Sequence, residues 1–229
     1  MIRRSDVCVV IPAYNEGAAI GGVLAGFAAL PYHVVVVDDG SADDTGRRAL
    51  QHPVTVLRHV CNLGQGAALQ TGITYALRLP GVRFVVTFDS DGQHAVADIE
   101  RLLEPLRTGA YDVALGSRFL SGEGAVDISA AKRVVLRLAV WFTKVTSGLR
   151  LTDTHNGLRA LTAEAAARVN ITSNRMAHAS ELLSQIALLR LRYREVPVTV
   201  TYTEYSRRKG QSLLNAINIL WDIAAARIR

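Results

Sequence analysis

The sequence predicts an α/β fold built on a mostly parallel central sheet with helices on both faces. Three observations carry that prediction. Short runs rich in β-branched residues at 7–11, 34–37, 54–57, 84–88 and 113–115 are bounded by turn residues and read as strands. Helical patterns at about 17–29, 43–51, 66–79 and 95–108 lie between them, and strand–helix alternation implies parallel strands covered on both sides. The chain has 229 residues, 49% hydrophobic and 20% charged, which suits one α/β domain and excludes a disordered chain.

The second half reads as more helical. Val134, Val135, Leu138, Trp141, Phe142 and Val145 fall on one face of a helix at 130–147. A helix at 178–190, a strand near 196–202 and a helix at 213–227 follow, the last with Leu213, Leu214, Ile217, Leu220, Trp221 and Ala224 on one face. No repeat, low-complexity segment or Pro/Ser-rich linker divides the chain, so 1–229 reads as one domain, with functional halves at 1–118 and 119–229.

Charge is uneven between these halves. Residues 1–100 hold 7 Lys/Arg against 10 Asp/Glu, whereas residues 101–229 hold 19 against 10. An acidic half suits a cation and a basic half suits phosphates or an anionic surface. Cys8 and Cys61 are too few for a disulfide framework, no zinc spacing is present, and a reducing setting is expected. No apolar run approaches the roughly 20 residues of a membrane span, and 7–11 is too short for a secretory signal. A cytoplasmic chain, peripheral to the membrane at most, is the expectation.

In parallel α/β sheets ligands bind beyond the carboxyl ends of the strands, so the residues there are the candidates. The first strand is followed by Pro12-Ala13-Tyr14-Asn15-Glu16. Pro12 is expected to stop the ladder, Tyr14 offers a flat ring to a base, Glu16 offers an acceptor, and Asn15 suits a helix cap. After the second strand, Asp38 and Asp39 suit a base N–H or ribose hydroxyls, while Ser41, Asp43 and Asp44 suit a helix start. Gly64 and Gly66 permit close backbone approach before the next helix.

The fourth strand ends in Asp89-Ser90-Asp91-Gly92-Gln93-His94. Period-two alternation points Asp89 and Asp91 the same way, so they can share a divalent cation with a diphosphate, and Gln93 can add a carbonyl oxygen. Gly116-Ser117-Arg118 follows the fifth strand, where an arginine is a natural phosphate clamp. Arg133, Arg207, Arg208 and Lys209 are further candidates, and 206–211 reads as a loop able to close over an anion.

In order, Pro12 to Glu16, Asp38-Asp39-Gly40-Ser41, Asp89-x-Asp91-x-Gln93-His94 and Gly116-Ser117-Arg118 resemble the motifs of family 2 inverting glycosyltransferases. The polyprenyl-phosphate glycosyltransferases, the dolichyl-phosphate mannose synthase branch, are the nearest likeness. Asp153-x-x-Asn156-Gly157-Leu158-Arg159 and Arg207-x-x-Gly210-x-Ser212 resemble two later motifs of that branch, so the likeness covers about residues 6–215. It implies a GT-A fold with a Rossmann-like sheet. By position it implies nucleoside contacts from Pro12, Tyr14, Glu16, Val37 and Asp39, with Asp38 and Ser90 beside them. Asp89, Asp91 and Gln93 would hold Mg²⁺ or Mn²⁺. Arg118, Arg133, Arg207 and Lys209 would hold donor and acceptor phosphates, and Asp91, Arg118 and Arg207 would be catalytic. The implied partners are a GDP- or UDP-linked sugar and a polyprenyl phosphate, met through peripheral membrane contact or a separate membrane subunit, with no nucleic acid. Ser90, Gly92, His155 and Asn156 depart from the branch's usual residues, and C-terminal membrane helices seen in many members have no counterpart in 1–229.

The implied reaction is in-line displacement at the anomeric carbon. A phosphate acceptor is largely ionised at neutral pH and needs no base. A sugar hydroxyl, as in polysaccharide synthesis, would need one, and Asp153, His155 and Glu181 are the candidates. A sugar nucleotidyltransferase would carry a glycine-rich basic loop where Pro12 to Glu16 stands, and a dinucleotide oxidoreductase would carry Gly-x-Gly-x-x-Gly there.

Overall fold

A computed structural model describes residues 6–120, 148–154, 156–174 and 177–201. The expected helices at 130–147 and 213–227, and the candidates Arg133, His155, Arg207, Arg208 and Lys209, lie outside the described residues. Seven strands form one sheet: β1 Val7–Ala13, β2 His33–Asp38, β3 Thr55–Arg58, β4 Phe84–Thr87, β5 Val113–Ser117, β6 Arg159–Thr162 and β7 Tyr193–Pro197. The helices are α1 Ile20–Ala25, α2 Thr45–Ala49, α3 Gln65–Ala76, α4 Asp98–Arg107, α5 Ala163–Arg168 and α6 His178–Leu188.

The spatial order is β3-β2-β1-β4-β6-β5-β7. β1 pairs in parallel with β2 and β4, β2 with β3, and β5 with β7; β6 runs antiparallel between β4 and β5. The carboxyl ends of β1, β2, β4 and β5 therefore share one edge. The amino end of β6 lies at the same edge, because Arg159 pairs with Thr87. That single antiparallel strand delivers the chain preceding residue 159 to the rim where the other strands end.

Alternation along β1 explains the three layers. Val7, Val9, Ile11 and Ala13 face one core with α1 and α4, through Ile20, Leu24, Ile99, Leu102 and Leu103. Cys8 and Val10 face the other, with Leu69 and Ile73 of α3 and Leu182, Leu183 and Ile186 of α6. All seven residues of β1 are buried, as a central strand covered on both faces requires. Burial also pushes the Cys8 thiol up to about 12, so it behaves as a small hydrophobe, whereas Cys61 is exposed. No described helix is long and apolar enough to cross a membrane.

Four expectations change. Pro12 does not stop the ladder: β1 runs on to Ala13, pairing Pro12 with Val37. Pairing to β4 ends at Val10↔Thr87, so Pro12 needs a partner on one side only and its missing N–H is harmless. β6 and α5 escape the pattern because RALT is a short strand flanked by polar ends, and a six-residue helix shows too little periodicity. β7 begins at Tyr193 rather than near 196, with Val200 forming only an isolated bridge to His94. Asn15 does not cap α1: it sits at φ 53° and ties the turn to the next loop, its N–H donating to Ser41 Oγ and its Oδ1 accepting from the Ala42 N–H.

Helix α3 packs on β1 and β2 at Gly72, where an added Cβ would lie 2.2 Å from Val10 Cγ1 and 3.2 Å from Val37 Cγ2. Valine is stiff at χ1 and cannot swing aside. Gly72→Ala should therefore cost about 1–3 kcal/mol by overpacking, despite the better helix propensity of alanine. Gly22 in α1 has nothing within 4 Å of that position, so Gly22→Ala should stabilise by about 0.5–1 kcal/mol. Urea unfolding of the two variants checks the opposite signs.

Candidate active site

The strand ends meet in a cluster of carboxylates. Asp89 leaves β4 with its carboxylate against the backbone of Gly157: a Cβ on that glycine would lie 2.2 Å from Oδ2 and 2.4 Å from Oδ1. The Thr87 hydroxyl donates to the Gly157 carbonyl at 2.7 Å and locks the two segments together. Gln65 Nε2 donates to Asp89 Oδ1 at 3.3 Å, and His94 Nε2 lies 3.1 Å from Oδ2. The other ring nitrogen of His94, Nδ1, is buried without a hydrogen-bond partner, so the ring meets the acidic cluster through Nε2 alone.

Asp91 sits differently. Its Oδ1 accepts the Gln93 N–H at 3.0 Å and its Oδ2 accepts Gln93 Nε2 at 2.8 Å, in a turn where Gly92 has φ 75°. Gln93 thus meets Asp91 as a hydrogen-bond donor, where the sequence suggested a carbonyl ligand beside it. The two aspartates are driven in opposite directions. Burial alone would raise the Asp89 carboxyl, but the hydrogen bond from His94 and the positive field of His94, Arg159 and His178 hold it below its ordinary value. Burial raises the Asp91 carboxyl, and the charges of Asp89 and Glu16 raise it further. Asp91 therefore sits in the negative field of two other carboxylates, which a cation would relieve. Among the described residues no three His, Cys, Asp or Glu form a complete ligand set, so the protein would supply two carboxylates and leave other positions to substrate oxygens. That donor set fits Mg²⁺ or Mn²⁺.

On the neighbouring strand ends, Tyr14 is 44% exposed, whereas Pro12, Glu16 and Ser90 are buried. Asp38 and Asp39 are almost wholly buried and organise loops. Asp38 Oδ1 accepts the Ser41 N–H at 2.9 Å, with Arg58 Nε 3.5 Å from Oδ2. Asp39 accepts from the N–H groups of Leu63 and Gly64 at 2.9 and 2.7 Å, and His59 Nδ1 lies 2.7 Å away. This hub brings the start of α3 to the site, where Gly64 and Gly66 pack against the carbonyls of Asn174 and Ser173. Ser41 receives the Asn15 N–H instead of capping α2, whose N-cap is Asp44 with no side-chain cap bond; Asp43, one residue earlier, accepts from Thr45 N and from Gly17 N. Val37 is 0% exposed, packed between the sheet and α3.

At the β5 end, Arg118 Nε donates to Asp153 Oδ2 at 2.6 Å, and both side chains are buried. Arg159 lies beneath, wholly buried, in the field of Asp89 and Asp153, and its Nε donates to the Asn156 carbonyl. Gln65, Arg159, His178 and Glu195 were not singled out from the sequence. Arg159 stood inside a quoted motif, but nothing in the spacing reveals that it lies behind Asp89.

Two of the three base candidates are thus committed elsewhere, and the third, His155, lies outside the described residues. Asp153 holds Arg118. Glu181 accepts from Thr172 N, Thr172 Oγ1 and Ser173 N. Burial would raise the Glu181 carboxyl, but these hydrogen bonds outweigh it and hold the group below its ordinary value. A depressed carboxyl stabilises the fold above its unfolded pKa and loses that contribution as pH falls through the folded one. Glu181→Gln should accordingly be less stable than the parent at pH 7, with the gap closing below about pH 4.5. Urea midpoints measured across that range check it.

Comparison with known proteins agrees with this geometry. A family model described as "Glycosyl transferase family 2" matches residues 8–172. The chain is 29% identical over 237 residues to a UDP-N-acetylglucosamine–dolichyl-phosphate N-acetylglucosaminyltransferase of Methanococcus voltae, covering 95% of this chain and 94% of that protein. It is 31% identical over 221 residues to a polyprenol monophosphomannose synthase of Mycolicibacterium smegmatis, covering 92% and 82%. Among solved structures, glucosyl-3-phosphoglycerate synthase of Mycobacterium tuberculosis, in complex with Mn²⁺ and UDP-glucose, superposes with a TM-score of 0.72 at 21% identity, covering 96% of this chain and 76% of that one. The fold is GT-A-like, and the chain is a glycosyltransferase that belongs to glycosyl transferase family 2.

Proposed function

We propose that the chain transfers a sugar from a nucleotide sugar to a polyprenyl phosphate, with inversion and with the help of a divalent cation. The observation that carries the acceptor class is the engagement of Asp153 and Glu181. Each is held by protein donors, so neither is placed to take a proton from a hydroxyl. An acceptor that arrives ionised needs no such base, and a phosphate monoester, with a second pKa near 6, arrives largely as the dianion. The relatives' names point the same way, because they describe transfer to dolichyl phosphate and synthesis of a polyprenol monophosphate sugar.

The chain's own residues divide the work. Tyr14 would offer its exposed ring to the base, with Asp38, Asp39 and Glu16 on the same strand ends. Asp89 and Asp91 would hold Mg²⁺ or Mn²⁺, with Gln93 orienting Asp91. The bound cation would neutralise charge on the departing diphosphate. Arg118, with Arg133, Arg207 and Lys209, would add positive charge at the donor and acceptor phosphates, so that electrostatic stabilisation of the leaving group supplies most of the acceleration. The relatives carry different sugars, which leaves GDP- and UDP-linked donors both open here. A lipid acceptor requires peripheral contact with the cytoplasmic face of a membrane or a membrane subunit.

The test is turnover of GDP-mannose, UDP-N-acetylglucosamine and UDP-glucose with Mn²⁺, using a short-chain polyprenyl phosphate or a soluble sugar as acceptor. Transfer to the phosphate alone is the expected result; efficient transfer to the soluble hydroxyl alone would overturn the acceptor reading. Asp91→Ala should abolish transfer while the circular dichroism spectrum stays native, since loss of one ligand removes several kcal/mol of leaving-group stabilisation in order of magnitude. Near-normal turnover in that variant would refute the metal assignment.

A further inference from the structure

A chain of contacts runs from another strand to Arg118. Glu195 lies in β7, opposite Leu115 of β5, three residues before the arginine. Its carboxylate accepts two consecutive backbone N–H groups: Thr152 N at 2.8 Å from Oε1 and 2.9 Å from Oε2, and Asp153 N at 3.1 Å from Oε1. The Thr152 hydroxyl adds a further bond to Oε1 at 3.0 Å and lies 2.7 Å from Ser117 Oγ. Asp153, with its backbone fixed in this way, accepts from both the Arg118 N–H at 3.2 Å and Nε at 2.6 Å. Hydrogen bonds among Glu195, Thr152, Asp153, Arg118 and Ser117, closed by the Ser117–Arg118 peptide link, thus surround the end of β5.

The partners differ in burial. Asp153 and Arg118 are buried, whereas Thr152 is exposed and Glu195 is half-buried. Water can replace the glutamate at Thr152, so its loss should cost the fold little. Water cannot reproduce a bidentate carboxylate that fixes two successive peptide groups, and the aim of the buried ion pair depends on those groups.

We infer that Glu195 is a positioning residue: by clamping the Thr152–Asp153 backbone it sets the Asp153 carboxylate, and through it the guanidinium of Arg118, toward a bound phosphate. The inference rests on the reading of Arg118 as a phosphate-binding group.

Two measurements test it. The first is a double-mutant cycle with Glu195→Ala and Arg118→Ala, read as affinity for inorganic pyrophosphate with Mn²⁺ by titration calorimetry. Glu195→Ala should weaken pyrophosphate about 10-fold in the parent, at the lower end of what second-layer residues command. In the Arg118→Ala background it should change affinity less than about 2-fold, because the group it acts through is gone. Glu195→Gln, which keeps one acceptor oxygen, should fall between. An equal loss in both backgrounds would overturn the inference and leave the phosphate reading of Arg118 intact. No effect of Arg118→Ala on pyrophosphate would instead refute that phosphate reading. The second measurement separates the two ideas: the Arg118 Nε–H resonance in a ¹⁵N spectrum, assigned by its loss in Arg118→Lys. It should shift or broaden in Glu195→Ala while the backbone amides of β1 and β4 stay in place; an unmoved resonance would overturn the inference whatever the pyrophosphate result.

Discussion

The carboxylate of Asp89 is pressed against the Gly157 backbone, with 2.2 Å between its Oδ2 and the place a Cβ would occupy. Everything else at the candidate site is arranged about that contact. It is possible only because β6 runs antiparallel to β4 and starts where β4 ends, so the chain just before Arg159 must cross the rim beside Asp89. The same crossing brings Asp153 to Arg118 and buries Arg159 behind the acidic cluster. A glycine at 157 follows from the crowding, since any side chain would have to share space with the carboxylate.

Electrostatics then separates two residues that look alike in the sequence. Asp89 is surrounded by His94, His178, Arg159 and Gln65 and is held as an anion by the protein itself. Asp91 lies in the negative field of Asp89 and Glu16, and burial together with those charges outweighs the hydrogen bonds from Gln93 and the field of His94. The chain thus builds one settled carboxylate and one that gains by meeting a cation. Such divergence between neighbouring groups is a mark of sites that do chemistry rather than of sites that only hold a fold.

The parallel half of the sheet was legible because each strand is a dense β-branched run and each turn carries its own punctuation. The rim residues Tyr14, Asp39, Asp89, Asp91 and Arg118 were legible for the related reason that parallel sheets collect ligands at their carboxyl ends. β6 was missed because four residues of mixed polarity carry no period. Glu195 and Gln65 were invisible because their partners lie 42 and 24 residues away in the chain, and such distant pairings leave no trace in local side-chain spacing. The resemblance of the 153–159 segment to the family supplied what periodicity could not.

The contact between Gly157 and Asp89 is what the proposed cation and diphosphate site rests on. Calorimetric titration of Mn²⁺ in the presence of UDP, comparing the parent with Gly157→Ala, addresses this most directly. With the fold verified by near-UV circular dichroism, the account predicts at least about a 10-fold loss of Mn²⁺ affinity, the size expected when a metal-holding carboxylate is displaced from its supports. Unchanged affinity in a folded Gly157→Ala protein would contradict it.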